Sequence, residues 1–190
     1  MVSWNVGMSA WIVQDGNYGD FHRHMQAKFA LEFYPLDLQV TDATETTAQW
    51  HKGSQYQVQA QVVCLLAGAW VIDFGVMAFQ QSTPPAKIRV GDWISATIYL
   101  GIDPLFYFED LKNRGMPPLI YRWLIRKISI ETAPFVEALD GRGTRILTRD
   151  ESKSAYREIE ATSAWNDDDG HAEYLLECEL LDAMPTRDRD

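Results

Sequence analysis

Gln55-Tyr-Gln-Val-Gln-Ala-Gln-Val62 alternates polar and apolar residues without a break, and only an extended strand with one wet and one dry face separates the two sets. A helix would scatter the glutamines around its axis, because its side chains recur every ~3.6 residues. The pattern runs on to Leu66, meets Ala67-Gly68 and resumes from Trp70 to Phe79, which predicts a hairpin. Alternation also appears upstream. Phe21, Arg23, Met25, Ala27, Phe29, Leu31 and Phe33 share one parity, opposed to His22, His24, Gln26, Lys28, Ala30, Glu32 and Tyr34. With residues 8–14 before it and Asp15-Gly16-Asn17-Tyr18-Gly19-Asp20 between, this stretch reads as a first hairpin.

The remaining punctuation extends the same reading. Residues 41–53 are polar and read as a loop or weak strand, and Pro84-Pro85 marks a surface loop. Residues 87–100 form a strand that bends at Gly91-Asp92. Asp103-Pro104 starts a helix that runs to about Asn113 before Gly115 ends it. Residues 119–130 are ambiguous: Ile120, Trp123, Leu124, Lys127 and Ile128 fit helical spacing, whereas Arg126, Ile128, Ile130 and Thr132 alternate. A short helical turn passing into a strand is expected there. A third hairpin is expected from 156–165 and 172–182, joined by Asn166-Asp-Asp-Asp-Gly170.

Together these elements predict a mainly β chain, a small antiparallel β-barrel or strongly bent sheet with one central helix. Residues 1–183 would form a single β-rich domain, and 184–190 a disordered tail. A set of five or more strands with a helix before a late strand, and the bend at Val90-Gly-Asp-Trp-Ile94, resembles oligonucleotide/oligosaccharide-binding folds at the level of pattern. A small residue, any residue, Trp and an aliphatic recur at Ser9–Ile12, Gly68–Val71 and Gly91–Ile94. A turn followed by a strand whose first inward residue is a large aromatic accounts for them.

Charge narrows the function classes. The 190 residues carry 17 Lys+Arg against 27 Asp+Glu, a formal net charge of −10, which argues against a general polyanion or anionic-membrane binder. The start of the chain shows no secretory signal pattern, and the longest apolar run, residues 62–76, is shorter than a spanning helix needs. A cytoplasmic protein without membrane contact is expected. Cys64 and Cys178, each among apolar neighbours, read as buried free thiols.

Three functional readings follow. In the first, a non-catalytic acidic interaction protein of inhibitor, immunity or adaptor type meets a basic protein partner through Asp167, Asp168, Asp169, Glu173 and Glu177. In the second, an OB-like module grips single-stranded nucleic acid with Tyr121, Arg122, Trp123 and Arg126, where basic and aromatic residues interleave. In the third, His22 and His24, two residues apart on one strand face, ligate a metal in a β-barrel enzyme. Cupin-type barrels use His-x-His in this way, but the Glu that usually follows the pair is absent here. A polar strand surface holding two imidazoles is the plainer explanation. No nucleophile elbow, phosphate loop or dinucleotide fingerprint is present. The first reading is preferred, without a cofactor, and the many aromatics are compatible with a homodimer.

Overall fold

A computed structural model of the chain describes residues 3–85, 87–139, 141 and 143–188. It is mainly β. In chain order the elements are β1 (Ser3–Ser9), α1 (Trp11–Gln14), β2 (Gln26–Phe29), β3 (Leu31–Thr41), β4 (Thr47–Lys52), β5 (Gln55–Leu66), β6 (Ala69–Asp73) and β7 (Met77–Gln80). Then follow β8 (Trp93–Ile102), α2 (Phe106–Glu109), β9 (Tyr121–Glu131), β10 (Phe135–Leu139), β11 (Arg145–Arg149), β12 (Tyr156–Ile159) and β13 (Glu173–Leu180). All but β10 and β11 belong to one strongly curved sheet, and those two pair with each other as a separate ribbon.

The curvature comes from β8, which pairs with β3 along one edge and with β5 along the other. Pairing continues from β5 through β6 to β7, and a single parallel bridge, Glu32 to Phe79, brings β7 back to β3. The Gln-rich alternation of β5 works as expected: Tyr56, Val58, Ala60 and Val62 are buried, while Gln57 and Gln59 face out. β6 is dry on both sides. Trp70 and Ile72 enter the main core, whereas Ala69 and Val71 join a second cluster with Tyr107, Leu111, Met116 and Leu119 under α2.

The expected first hairpin does not form. Residues 11–14 coil into one helical turn, with Val13 and Gln14 amides donating to Ala10 O at 3.0 and 3.1 Å, and β1 pairs along its whole length with β13 instead. The return strand is also broken, because residues 22–25 make a turn in which the Met25 amide donates to His22 O at 3.2 Å and His24 adopts φ +66°. The third hairpin is replaced as well: β9 lies between β12 and β13 and pairs with both. The Asp-Gly turn is real, with Asp168, Asp169 and Gly170 all at positive φ, yet it belongs to a crossing loop.

The single central helix becomes two short ones. Asp103 still holds the start of α2, accepting from the Phe106 and Tyr107 amides at 2.8 and 3.2 Å, but Leu105 at φ +87° and a break at Asp110 limit α2 to one turn before a 3-10 turn over Leu111–Arg114. The helical turn expected within residues 119–130 does not form. A β-bulge at Arg126 moves the buried set from Tyr121, Trp123 and Ile125 to Ile128 and Ile130, and that shift of parity imitates helical spacing. Within the expected tail, Thr186 exchanges backbone hydrogen bonds with Ile120 and Asp188 pairs with Lys112 at 2.9 Å; residues 189 and 190 lie outside the described residues.

Candidate functional site

Alternation along β13 sends Tyr174, Leu176 and Cys178 into the core and turns Glu173, Leu175 and Glu177 to the opposite face. Register then builds rows across β12, β9, β13 and β1. Tyr156 stands opposite Glu131, Glu177 lies between Asn5 and Lys127, and Glu173 opposes Ser9. The β4–β5 turn approaches one end of this face, where a side chain at Gly7 would press on Ser54 Oγ at 3.3 Å. A Cβ there is tight, and the Ser54 hydroxyl would have to give by a few tenths of an ångström. Trp50 folds back over the turn, its Nε1 donating to Gly53 O at 2.8 Å.

The result is an open groove of about 1000 Å³ lined by Trp50, Tyr99 and Tyr156 and by Ser129, Glu131 and Glu177. Beyond β11 lies a second depression of about 800 Å³, lined by Trp11, Phe135, Leu147, Asp168, Asp169 and Glu173. Thr148 and Arg149 border both. Arg149 anchors this ridge: its Nη1 donates to Ala133 O at 2.7 Å, its Nη2 pairs with Asp168, and its guanidinium lies 3.9 Å from the Phe135 ring centre.

Electrostatics distinguish three carboxylates from their neighbours. Several basic groups on this side are engaged elsewhere, Lys127 with Glu158 at 3.0 Å, Arg23 with Glu158 and Glu160, and Arg126 with Glu179, while Lys52 lines the groove beside Trp50. Glu173, Glu177 and Glu131 instead accept from serine hydroxyls, Ser9 at 2.7 Å, Ser3 at 3.0 Å and Ser154 at 3.2 Å. Among the described residues no cation pairs with any of the three. A serine satisfies a lone pair without neutralising the charge. Burial raises the Glu173 carboxyl above its ordinary range, opposed in part by the Ser9 bond. Burial likewise raises the Tyr156 phenol, with the charge of Glu131 adding to it.

Of the acidic residues expected to meet a partner, Glu173 and Glu177 lie together on this face and Asp168 and Asp169 border the second depression. Asp167 is turned inward, where it accepts from the Ser163 amide at 2.8 Å and the Tyr174 hydroxyl at 2.9 Å. Tyr121 and Trp123 are buried: the Tyr121 hydroxyl accepts from the Met77 amide at 2.8 Å, and Trp123 Nε1 donates to Phe29 O at 3.2 Å. Arg122 pairs with Asp182 at 2.9 Å. His22 and His24 are exposed but do not share a strand face, since His24 sits in the turn. Among the described residues no three His, Cys, Asp or Glu side chains are placed to hold a metal ion.

Sequence reasoning missed Trp50, Tyr99, Tyr156 and Glu131. Trp50 left a signal, a large ring alone within the polar stretch 41–53. Glu131 left none, because its place depends on pairing with strands far away in sequence. No helix among the described residues is long and apolar enough to cross a membrane. Compared with known proteins, the chain matches no family model, no curated protein and no solved structure at a significant level.

Proposed function

We propose that the chain is a non-catalytic binding protein whose acidic outer face receives a basic protein partner, as an inhibitor, immunity protein or adaptor would. The observation that supports this reading most is the group Glu131, Glu173 and Glu177, three carboxylates on one sheet face that accept from serines and, among the described residues, take part in no ion pair. Ordered carboxylates of this kind form charge-assisted bonds with an incoming Arg or Lys without first giving up an ion pair. The exposed rings of Trp50, Tyr99 and Tyr156 beside them add faces on which a guanidinium stacks. A net charge of −10 steers a cationic partner towards the encounter.

Calorimetric titration with a short oligo-arginine peptide, at low and at high salt, tests the reading. Binding is expected at low salt, weakened steeply by added salt and by the combined change Glu131→Gln, Glu173→Gln and Glu177→Gln. An affinity indifferent to both changes overturns it.

A further inference from the structure

On the other side of Trp50, the outer face of β4, β5 and β8 carries a further, chemically different depression. It measures about 350 Å³ and is lined by Gln49, Trp50, His51, Gln55, Gln57 and Thr97. None of these six is a carboxylate or an amine. From this geometry we infer that the depression is a binding site for a neutral, hydroxyl-rich ligand, a sugar ring of an oligosaccharide.

Three observations carry the assignment. First, successive strand residues normally point to opposite faces, yet Trp50 and His51 line the same depression. A β-bulge between Trp50 and Lys52 leaves His51 without an opposite residue and re-aims the strand. Trp50 is about half exposed, and its indole N–H is spent on Gly53 O, so what it offers a ligand is its ring. Second, Gln55 is 92% buried, from a relative exposure of 8%, and its Oε1 has no hydrogen-bond donor among the described residues. A buried acceptor is ordinarily satisfied; this oxygen is closed to solvent as the side chain rests, so a ligand hydroxyl supplies the donor only when the Gln55 side chain turns into the depression. Third, the amide of Gln57 sits among hydroxyls: its Nε2 donates to Ser95 Oγ at 3.3 Å, and its Oε1 lies 2.9 Å from Thr97 Oγ1, whose single proton serves either Gln57 or the Asp37 carboxylate on β3 at 3.0 Å.

An aromatic ring beside several amide and hydroxyl groups suits a ligand with an apolar C–H face and a rim of hydroxyls. The volume lies at the small end of small-molecule pockets, roughly 300–1,000 Å³, which fits one ring better than a folded partner. The lining holds no Arg or Lys, the side chains that grip phosphate most strongly. The site shares Trp50 with the acidic groove but not its dependence on charge, since sugar binding here would not respond to salt.

The test is a titration of the isotope-labelled protein with maltotriose, cellotriose, mannotriose and chitotriose, following the Trp50 indole and Gln55 side-chain amide signals by heteronuclear NMR. At least one trisaccharide is expected to shift both signals saturably, equally at low and high salt. Trp50→Ala should weaken that binding at least about thirtyfold, as truncation of a dominant aromatic contact does, while Trp50→Phe keeps most of it. Gln55→Leu should weaken it too, and its folding is checked by unaltered backbone signals. No shift with any of the four sugars, an unchanged response in Trp50→Ala, or a response to free adenine or uracil but to none of the sugars overturns the inference.

Discussion

Two outer faces of one curved sheet meet near Trp50, and they are built from the same backbone with opposite side-chain chemistry. The face of β9, β13 and β1 carries Glu131, Glu173 and Glu177 on serine hydroxyls. The face of β4, β5 and β8 carries Gln49 and Gln55 beside the contacts of Gln57 with Thr97 and Ser95. Behind both lies the same kind of interior, Tyr174, Leu176 and Cys178 in one case and Tyr56, Val58 and Ala60 in the other. The inward parity thus fixes the fold, and the outward parity is left to vary with what each face meets.

The sharpest contrast is between that interior and either face. Trp123 is fully buried and stacked on Phe29 with ring centres 5.5 Å apart. Trp123→Ala should cost about 3–5 kcal/mol in urea unfolding, whereas Trp50→Ala, on an exposed edge strand, should stay within about 0.5 kcal/mol. Equal losses would mean that Trp50 belongs to the core and not to a binding surface.

A pH effect of comparable size comes from a buried carboxyl away from the acidic face. Asp103, buried below α2 and near Glu32, has its pKa raised from 3.8 to about 7, first by burial and then by the charge of Glu32. The folded state therefore binds this proton more tightly than the unfolded chain does. The resulting stability is full below about pH 4 and is lost as pH rises through about 7, a change on the order of a few kcal/mol. Asp103→Asn should flatten the unfolding midpoint between pH 4 and 8; an unchanged slope would show that Asp103 is not its source.

Arg149 offers a local test. Its bonds to Ala133 and Asp168 and its place on Phe135 tie the β10–β11 ribbon down, and a lone two-stranded ribbon is marginal in water. Arg149→Ala should raise amide hydrogen exchange in residues 135–139 and 145–149 with little change in exchange at β5. The smallest expected effect is at Arg122, whose surface ion pair with Asp182 should contribute less than about 1 kcal/mol in a double-mutant cycle. A larger value would give Arg122 a structural role that its exposure does not suggest.

What the sequence made legible follows the same division. β5 and the β5–β6 hairpin could be read because their pattern is local, period two closed by Gly68 at φ +80°. β6 hid its nature by being dry on both faces, and β9 hid its own through the bulge at Arg126. The pairing of β1 with β13, across most of the chain, left no local trace, so the rows that join Ser9 to Glu173 and Asn5 to Glu177 could not be read in advance. Glu173 and Glu177 were nonetheless accessible from the outward parity of a C-terminal strand. The meeting of the aromatic rings beside them was not, because Trp50, Tyr99 and Tyr156 come from three separate strands.

The most direct test of the central claim is a residue-level NMR map of oligo-arginine binding to the intact chain. Saturable shifts are expected at the amides of Glu131, Glu173 and Glu177 and their neighbours on β9, β13 and β1, fading as salt is added, with β5 and β8 silent around Gln57 and Thr97. Shifts confined to the amide-rich face, or no shifts at any salt concentration, would contradict the account.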